Sequence, residues 1–177
     1  MTKVLVIQGA GMNMRGKAQV EIFGTTTLDQ INEQIRGYAE GLGIDVELFH
    51  SNLEGEVVNA LYDAHDRNVD AALINPAGYT TGTGPLLGAI AQVGFPVIEV
   101  HASNPTASGT VSKVLPACKG SVYGFGVYGY YLALEAVKHL VEGWRRLGQY
   151  VLSGVSPLEP VSEGLFTISR MRHNPLV

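Results

Sequence analysis

KVLVIQ, from Lys3 to Gln8, and DAALIN, from Asp70 to Asn75, are apolar almost without interruption, and each ends at a turn former: Gly9-Ala10-Gly11 after the first, Pro76 after the second. A strand with one wet face alternates polar and apolar residues. A strand buried on both faces does not, and that condition belongs to parallel sheets covered by helices on each side. Working outward from KVLVIQ, a long loop spans about Gly9 to Gly24. A helix follows, because Thr27 and Gln30 form a capping box ahead of Leu28, Ile31, Ile35, Ala39 and Leu42, and Gly43 stops it. Ile44 to His50 alternates as a strand, and Val57, Leu61 and Ala64 recur at helical spacing from Glu54 to about Asn68. Beyond DAALIN come a loop to Gly84, a short helix from Leu86 to Val93 and a strand from Pro96 to His101. An irregular polar stretch leads from Ala102 to Ala117, then a strand from Lys119 to Gly126. A long helix runs from Val127 to about Leu147, with Arg145 and Arg146 in its last turn, where they suit the helix dipole. This alternation predicts right-handed crossovers and a five-stranded parallel sheet within a three-layer α/β sandwich. Ligands are then expected beyond the carboxyl ends of the strands, between residues 8–24, 75–84 and 99–112.

A length of 177 residues suits one domain, read here as residues 1–148, followed by a Pro- and Ser-containing extension over 149–177. The extension is expected to pack as an arm on a neighbouring subunit, because Leu165, Phe166, Ile168 and Met171 are costly to leave in water. With 46% hydrophobic and 16% charged residues, part of the surface is expected to be buried in a homo-oligomer. A formal net charge of −4 without any Lys/Arg run argues against nucleic acid and anionic membranes as partners and for a small-molecule substrate. No segment approaches the roughly 20 apolar residues that span a bilayer, so a cytoplasmic location is expected. Cys118 is the single cysteine, read as a small core residue. No metal and no cofactor are expected: GAGMNMRG, from Gly9, matches neither G-x-G-x-x-G nor a P-loop. His50, His65, His139 and His173 stand isolated and read as surface or helix-end residues.

The chemistry gathers at the strand ends. Asn75 closes one strand, and Glu99, His101, Ala102 and Ser103 close another. Glu99 and His101 lie two apart on a strand and so point to one side, where a carboxylate orients an imidazole and favours its protonated form. His101 is thus a candidate general acid, with a structural pair under a loop as the alternative.

Six stretches together, VLVIQGAGMNMRG, EIFGTTTLDQI, HSNLEGEVV, ALINPAGYT, PVIEVHASN and KGSVYGFGVYGYYLAL, resemble the type II 3-dehydroquinate dehydratases in order and spacing, over about residues 3 to 141. The resemblance implies a flavodoxin-like fold assembled as a homotrimer or homododecamer. It implies that His101 protonates the departing hydroxyl with Glu99 and Asn75 beside it, and that Ser103 holds the substrate carboxylate. Ala102, Asn13, Gly78 and Tyr79 fall within the matching substrate-binding segments. The departures are concentrated. Where the family has the Asn that stabilises the enolate, the Arg that activates the base and the Tyr that removes the proton, this chain has Gly11, Ala18 and Phe23. Thr81 replaces a family His, Ser108 and Ser112 replace family Arg residues, and Gly88 replaces an Asp. Neither a Phe ring nor an Ala methyl can take up or steer a proton.

The first expectation from these departures is a diverged hydro-lyase-like enzyme acting on a small, oxygenated, cyclic carboxylate or carbonyl compound other than 3-dehydroquinate. Arg15 and Lys17 are candidates to restore the missing positive charge, and Tyr79 is a candidate base. Three alternatives stand beside it: an authentic 3-dehydroquinate dehydratase with a displaced base, a hydrolase or isomerase on the same fold, and a non-catalytic metabolite-binding protein.

Overall fold

Continuous apolar character becomes a two-faced core in the computed structural model, which describes residues 1–82 and 84–153, with the backbone alone for Phe23 and 144–153. The strands β1 (Thr2–Ala10), β2 (Ile44–His50), β3 (Ala71–Ala77), β4 (Val97–His101) and β5 (Gly120–Tyr123) form one sheet in the order β2-β1-β3-β4-β5. Every pairing is parallel. This is the flavodoxin-like order, whose direction of winding reverses between β1 and β3 and opens a crevice there. Along β1, Val4 and Val6 face helices α2 (Leu28–Leu42) and α5 (Tyr128–Ser153), while Leu5 and Ile7 face α3 (Glu54–Asp66) and α4 (Gly84–Gln92). All four side chains are buried, so neither face of the strand is wet. Thr27 caps α2 as expected: its hydroxyl accepts from the Gln30 N–H, and the Gln30 side chain accepts from the Thr27 N–H.

Several boundaries differ from the sequence reading: β1 runs on to Ala10, α4 starts at Gly84 and β5 ends at Tyr123. β3 continues through Pro76 to Ala77 rather than ending at Asn75. Its pairing with β4 stops at the Ile74–Glu99 step, so a residue without an N–H is tolerated just beyond it. Gly9 lies against this extension, and a Cβ there would come within 2.2 Å of the Pro76 carbonyl oxygen. The first loop is not featureless. Left-handed backbone at Gly11 (φ 84°) and Gln19 (φ 50°) starts a 3-10 turn over Met12–Met14 and a single helical turn, α1 (Val20–Phe23). Finally, α5 runs to Ser153, which places Arg145 and Arg146 inside it instead of in its last turn. The expected arm, with Leu165, Phe166, Ile168 and Met171, lies outside the described residues, as does His173.

Cys118 is half-buried beside the α3 and α4 side of the core, and burial, with Glu99 nearby, pushes its thiol up to about 12. Among the described residues no helix is long and apolar enough to cross a membrane.

Candidate active site

The carboxyl ends of β1, β3 and β4 surround a cavity of about 400 Å³, a size suited to a small metabolite. β1 and the loop after it supply one wall, with Ala10, Gly11, Met12, Arg15 and Ala18. The end of β3 supplies Asn75, Ala77, Gly78 and Thr80. The end of β4 supplies His101, Ala102 and Ser103, and the short 3-10 turn that follows, Pro105–Ser108, closes the cavity with Ser108.

Strand alternation puts Glu99 and His101 on one side of β4, as the two-residue spacing requires. His101 Nε2 lies 2.6 Å from Glu99 Oε1, and both residues are buried. Directly across the β4–β5 pairing, Tyr123 stands opposite His101. Its hydroxyl donates to the same Glu99 Oε1 at 3.0 Å, and its ring meets the imidazole edge to face, with centroids 4.9 Å apart at 88°. Burial, reinforced by Glu99, pushes the Tyr123 hydroxyl up to about 12, so near neutrality it remains a donor. Two donors therefore converge on one carboxylate oxygen and fix it, while the buried Oε2 has no protein partner. With Nε2 engaged behind the wall, Nδ1 is the ring nitrogen left to the cavity that His101 lines.

A second network underlies Asn75. Asn75 Nδ2 donates to the Tyr130 hydroxyl at 3.0 Å, and that hydroxyl donates to Gln8 Oε1 at 2.7 Å. Gln8 Nε2 in turn reaches Asn32 Oδ1 at 3.4 Å. Gln8, Asn75 and Tyr130 are buried, so each polar atom paired here avoids the cost of standing unsatisfied in the core. Burial pushes the Tyr130 hydroxyl up to about 12, against the opposing pull of Asn75, Gln8 and Arg15. Tyr130 thus holds Asn75 in place and keeps its own proton. Burial holds the Arg15 guanidinium below its ordinary value, with Tyr130 acting the other way, yet a guanidinium stays charged near neutrality.

Of the residues singled out from sequence, Asn75, His101, Ala102, Ser103, Gly78 and Arg15 line this cavity, and Glu99 lies behind His101. Asn13, Lys17 and Tyr79 do not line it. Asn13 faces Asn52, whose Nδ2 is 3.5 Å from Asn13 Oδ1. Lys17 is exposed beyond the bend at Gly16. The Tyr79 hydroxyl is directed to the Ser51 carbonyl at 3.3 Å, and burial, then Glu54 and Glu56, raise it further from the range of a base. At the positions where the resemblance notes lost arginines, Ser108 lines the cavity, whereas Ser112 is buried and accepts the Val114 and Leu115 N–H groups. Thr81 is exposed.

Tyr123, Tyr130, Gln8 and Asn52 are site residues that reasoning from sequence missed. Asn52 holds the first loop through its Oδ1, which accepts the Gly11 N–H at 2.8 Å. A strand-end position was the one available signal for Tyr123, and the closing position of KVLVIQ the one for Gln8. Of the isolated histidines, His50 Nδ1 donates to the Gln8 carbonyl at 2.8 Å, His65 Nδ1 accepts the Gly94 N–H at 3.0 Å, and His139 is exposed on α5.

Residues 2–138 match the family model described as Dehydroquinase class II. The chain is 45% identical over 143 residues to the 3-dehydroquinate dehydratase of Caldanaerobacter subterraneus subsp. tengcongensis, covering 79% of this chain and 96% of that one. It is 44% identical over 147 residues to the enzyme of the same name from Thermoanaerobacter pseudethanolicus, covering 79% and 96%. Among solved structures, the type II dehydroquinase from Butyrivibrio crossotus superposes with a TM-score of 0.74 at 30% identity, covering 77% of this chain and 97% of that one.

Proposed function

Because this chain belongs to the class II dehydroquinase family, we propose that its cavity removes water from 3-dehydroquinate to give 3-dehydroshikimate, with the base displaced from the position of Phe23. The chain is an enzyme of the lyase kind. The sequence reading of a substrate other than 3-dehydroquinate is corrected by the relatives at 45% and 44% identity across most of the chain, which carry the dehydratase name. That reading gave the loss of a Tyr and an Arg more weight than the whole-chain likeness, although a proton acceptor is a chemical role that another group in the same cavity can fill.

The observation that carries the proposal is the Glu99–His101 pair, buried and bonded at 2.6 Å, whose imidazole lines the same cavity as Arg15 and Asn75. In this reading Ser103, with the backbone at Ala102, receives the substrate carboxylate. Arg15 lies toward the ketone, whose oxygen becomes negative as the adjacent carbon loses its proton, and supplies the charge that Gly11 and Ala18 lack. His101 delivers the proton that lets the hydroxyl leave as water, and Glu99 and Tyr123 hold the ring for that transfer. Purified protein is expected to convert 3-dehydroquinate into the conjugated enone, followed by the rise of its ultraviolet absorbance. A flat trace at substrate concentrations that saturate relatives would reject the assignment.

The same reading places the enzyme in the cytoplasm as a homotrimer or homododecamer, with the segment from residue 149 onward as an extension of the catalytic domain. Support for assembly comes from the SNLEGEVV segment that resembles an intersubunit stretch, and from the exposure of Leu53 within it, with Val20 and Ile22 also in the open. Light scattering should therefore give a mass of three or twelve chains. A monomer at micromolar concentration contradicts this.

A further inference from the structure

We infer that His101 is both the base and the acid of this reaction, so that one imidazole takes the proton from carbon and returns it to the hydroxyl on the same face of the ring. The inference rests on the dehydratase reading above and adds to it the identity of the displaced base and the stereochemical course.

Among the described residues that line the cavity, His101 and Arg15 alone carry ionisable side chains. A guanidinium has no lone pair to accept a proton near neutrality, which leaves His101. The hydroxyls that line the wall, Ser103, Thr80, Ser108 and Thr110, have no lining imidazole or carboxylate other than His101 to activate them. Thr80 and Ser108 moreover donate to the Ala77 and Pro105 carbonyls, at 2.6 and 2.9 Å. The three tyrosines near the site are spent elsewhere: Tyr79 on the Ser51 carbonyl, Tyr123 on Glu99 and Tyr130 on Gln8.

Glu99 suits a carrier of this kind. Its Oε1 engages Nε2, so the ring is anchored and Nδ1, the nitrogen that Glu99 does not hold, can carry the proton without the ring having to turn. Bare Nδ1 takes the proton from the carbon beside the ketone, and the electron pair of that C–H bond moves into the enolate, opposite Arg15. The enolate collapses to the enone as the neighbouring carbon–oxygen bond breaks. The departing hydroxyl takes the proton from Nδ1 and leaves as water, and the imidazole returns to its starting form with no other reactant. An anchored ring reaches two adjacent atoms of a six-membered ring only if both project toward it, so the hydrogen removed is the one cis to the departing hydroxyl.

Two samples of 3-dehydroquinate test this, each with a single deuterium on the reacting methylene carbon, one cis and one trans to the hydroxyl that leaves. The wild-type protein is given each, and the 3-dehydroshikimate is analysed by mass spectrometry. The cis-labelled sample is expected to give product without deuterium and to react several-fold more slowly where proton removal limits the rate, while the trans-labelled sample gives product that keeps it. Turnover with the opposite pattern overturns the single-carrier inference and leaves the dehydratase assignment standing. No turnover of either sample overturns both.

Discussion

His101→Ala is expected to lower kcat for 3-dehydroquinate by about 10²- to 10⁴-fold, the range that general acid–base catalysis contributes. Loss of both proton transfers from one imidazole places the expectation toward the upper end. The fold is expected to survive, since His101 closes β4 at the cavity wall and lies outside the two apolar clusters that hold the helices to the sheet. Circular dichroism checks that point, and the enone absorbance reads the rate. His101→Asn is the sharper variant, because an amide keeps hydrogen bonding and shape but cannot carry a proton. If it retained more than about a tenth of the activity, general acid–base catalysis by His101 would be excluded.

Arg15→Ala is expected to lower kcat by about 10²- to 10³-fold, the cost of removing one preorganised group from a developing oxyanion. The cavity magnifies the effect. Arg15 is half-buried and carries the positive charge on the wall of a space lined otherwise by neutral groups and His101, among the described residues. Arg15→Lys should recover part of the loss, because an ammonium keeps the charge without the planar fork. The split between parameters is diagnostic: a group acting on the transition state lowers kcat and kcat/KM together, whereas a ground-state anchor raises KM alone. A pure KM effect would move Arg15 from the enolate to the substrate carboxylate. Arg15 is also what separates the loop's two candidate cations, since Lys17, two residues on, is exposed beyond a glycine bend and outside the cavity.

Relatives at 45% and 44% identity over most of the chain alongside Gly11, Ala18 and Phe23 show how a family assignment and a residue-by-residue reading can pull apart. Identity across the sheet and its helices reports the space into which the substrate fits. The three substitutions report which group can act within it. Both are accommodated in the proposed reading, in which the proton-transfer role passes to the imidazole anchored in the cavity by Glu99.

The sequence by itself determined the parts of this protein that depend on local periodicity. Uninterrupted apolar runs in KVLVIQ and DAALIN required strands buried on both faces, Thr27 and Gln30 required a helix start, and the two-residue spacing of Glu99 and His101 required side chains on one side of a strand. Those are properties of a chain segment and its immediate neighbours. What the tertiary structure alone decided is everything that needs a distance between segments far apart in the chain. Tyr123 meets the Glu99–His101 pair because β4 and β5 share a register, and Tyr130 reaches Gln8 across 122 positions because α5 packs over β1 and β3. Tyr79 is equally a tyrosine beside a strand end, but its hydroxyl is directed to the Ser51 carbonyl, away from the cavity, and no spacing rule in a single chain could have separated it from a base.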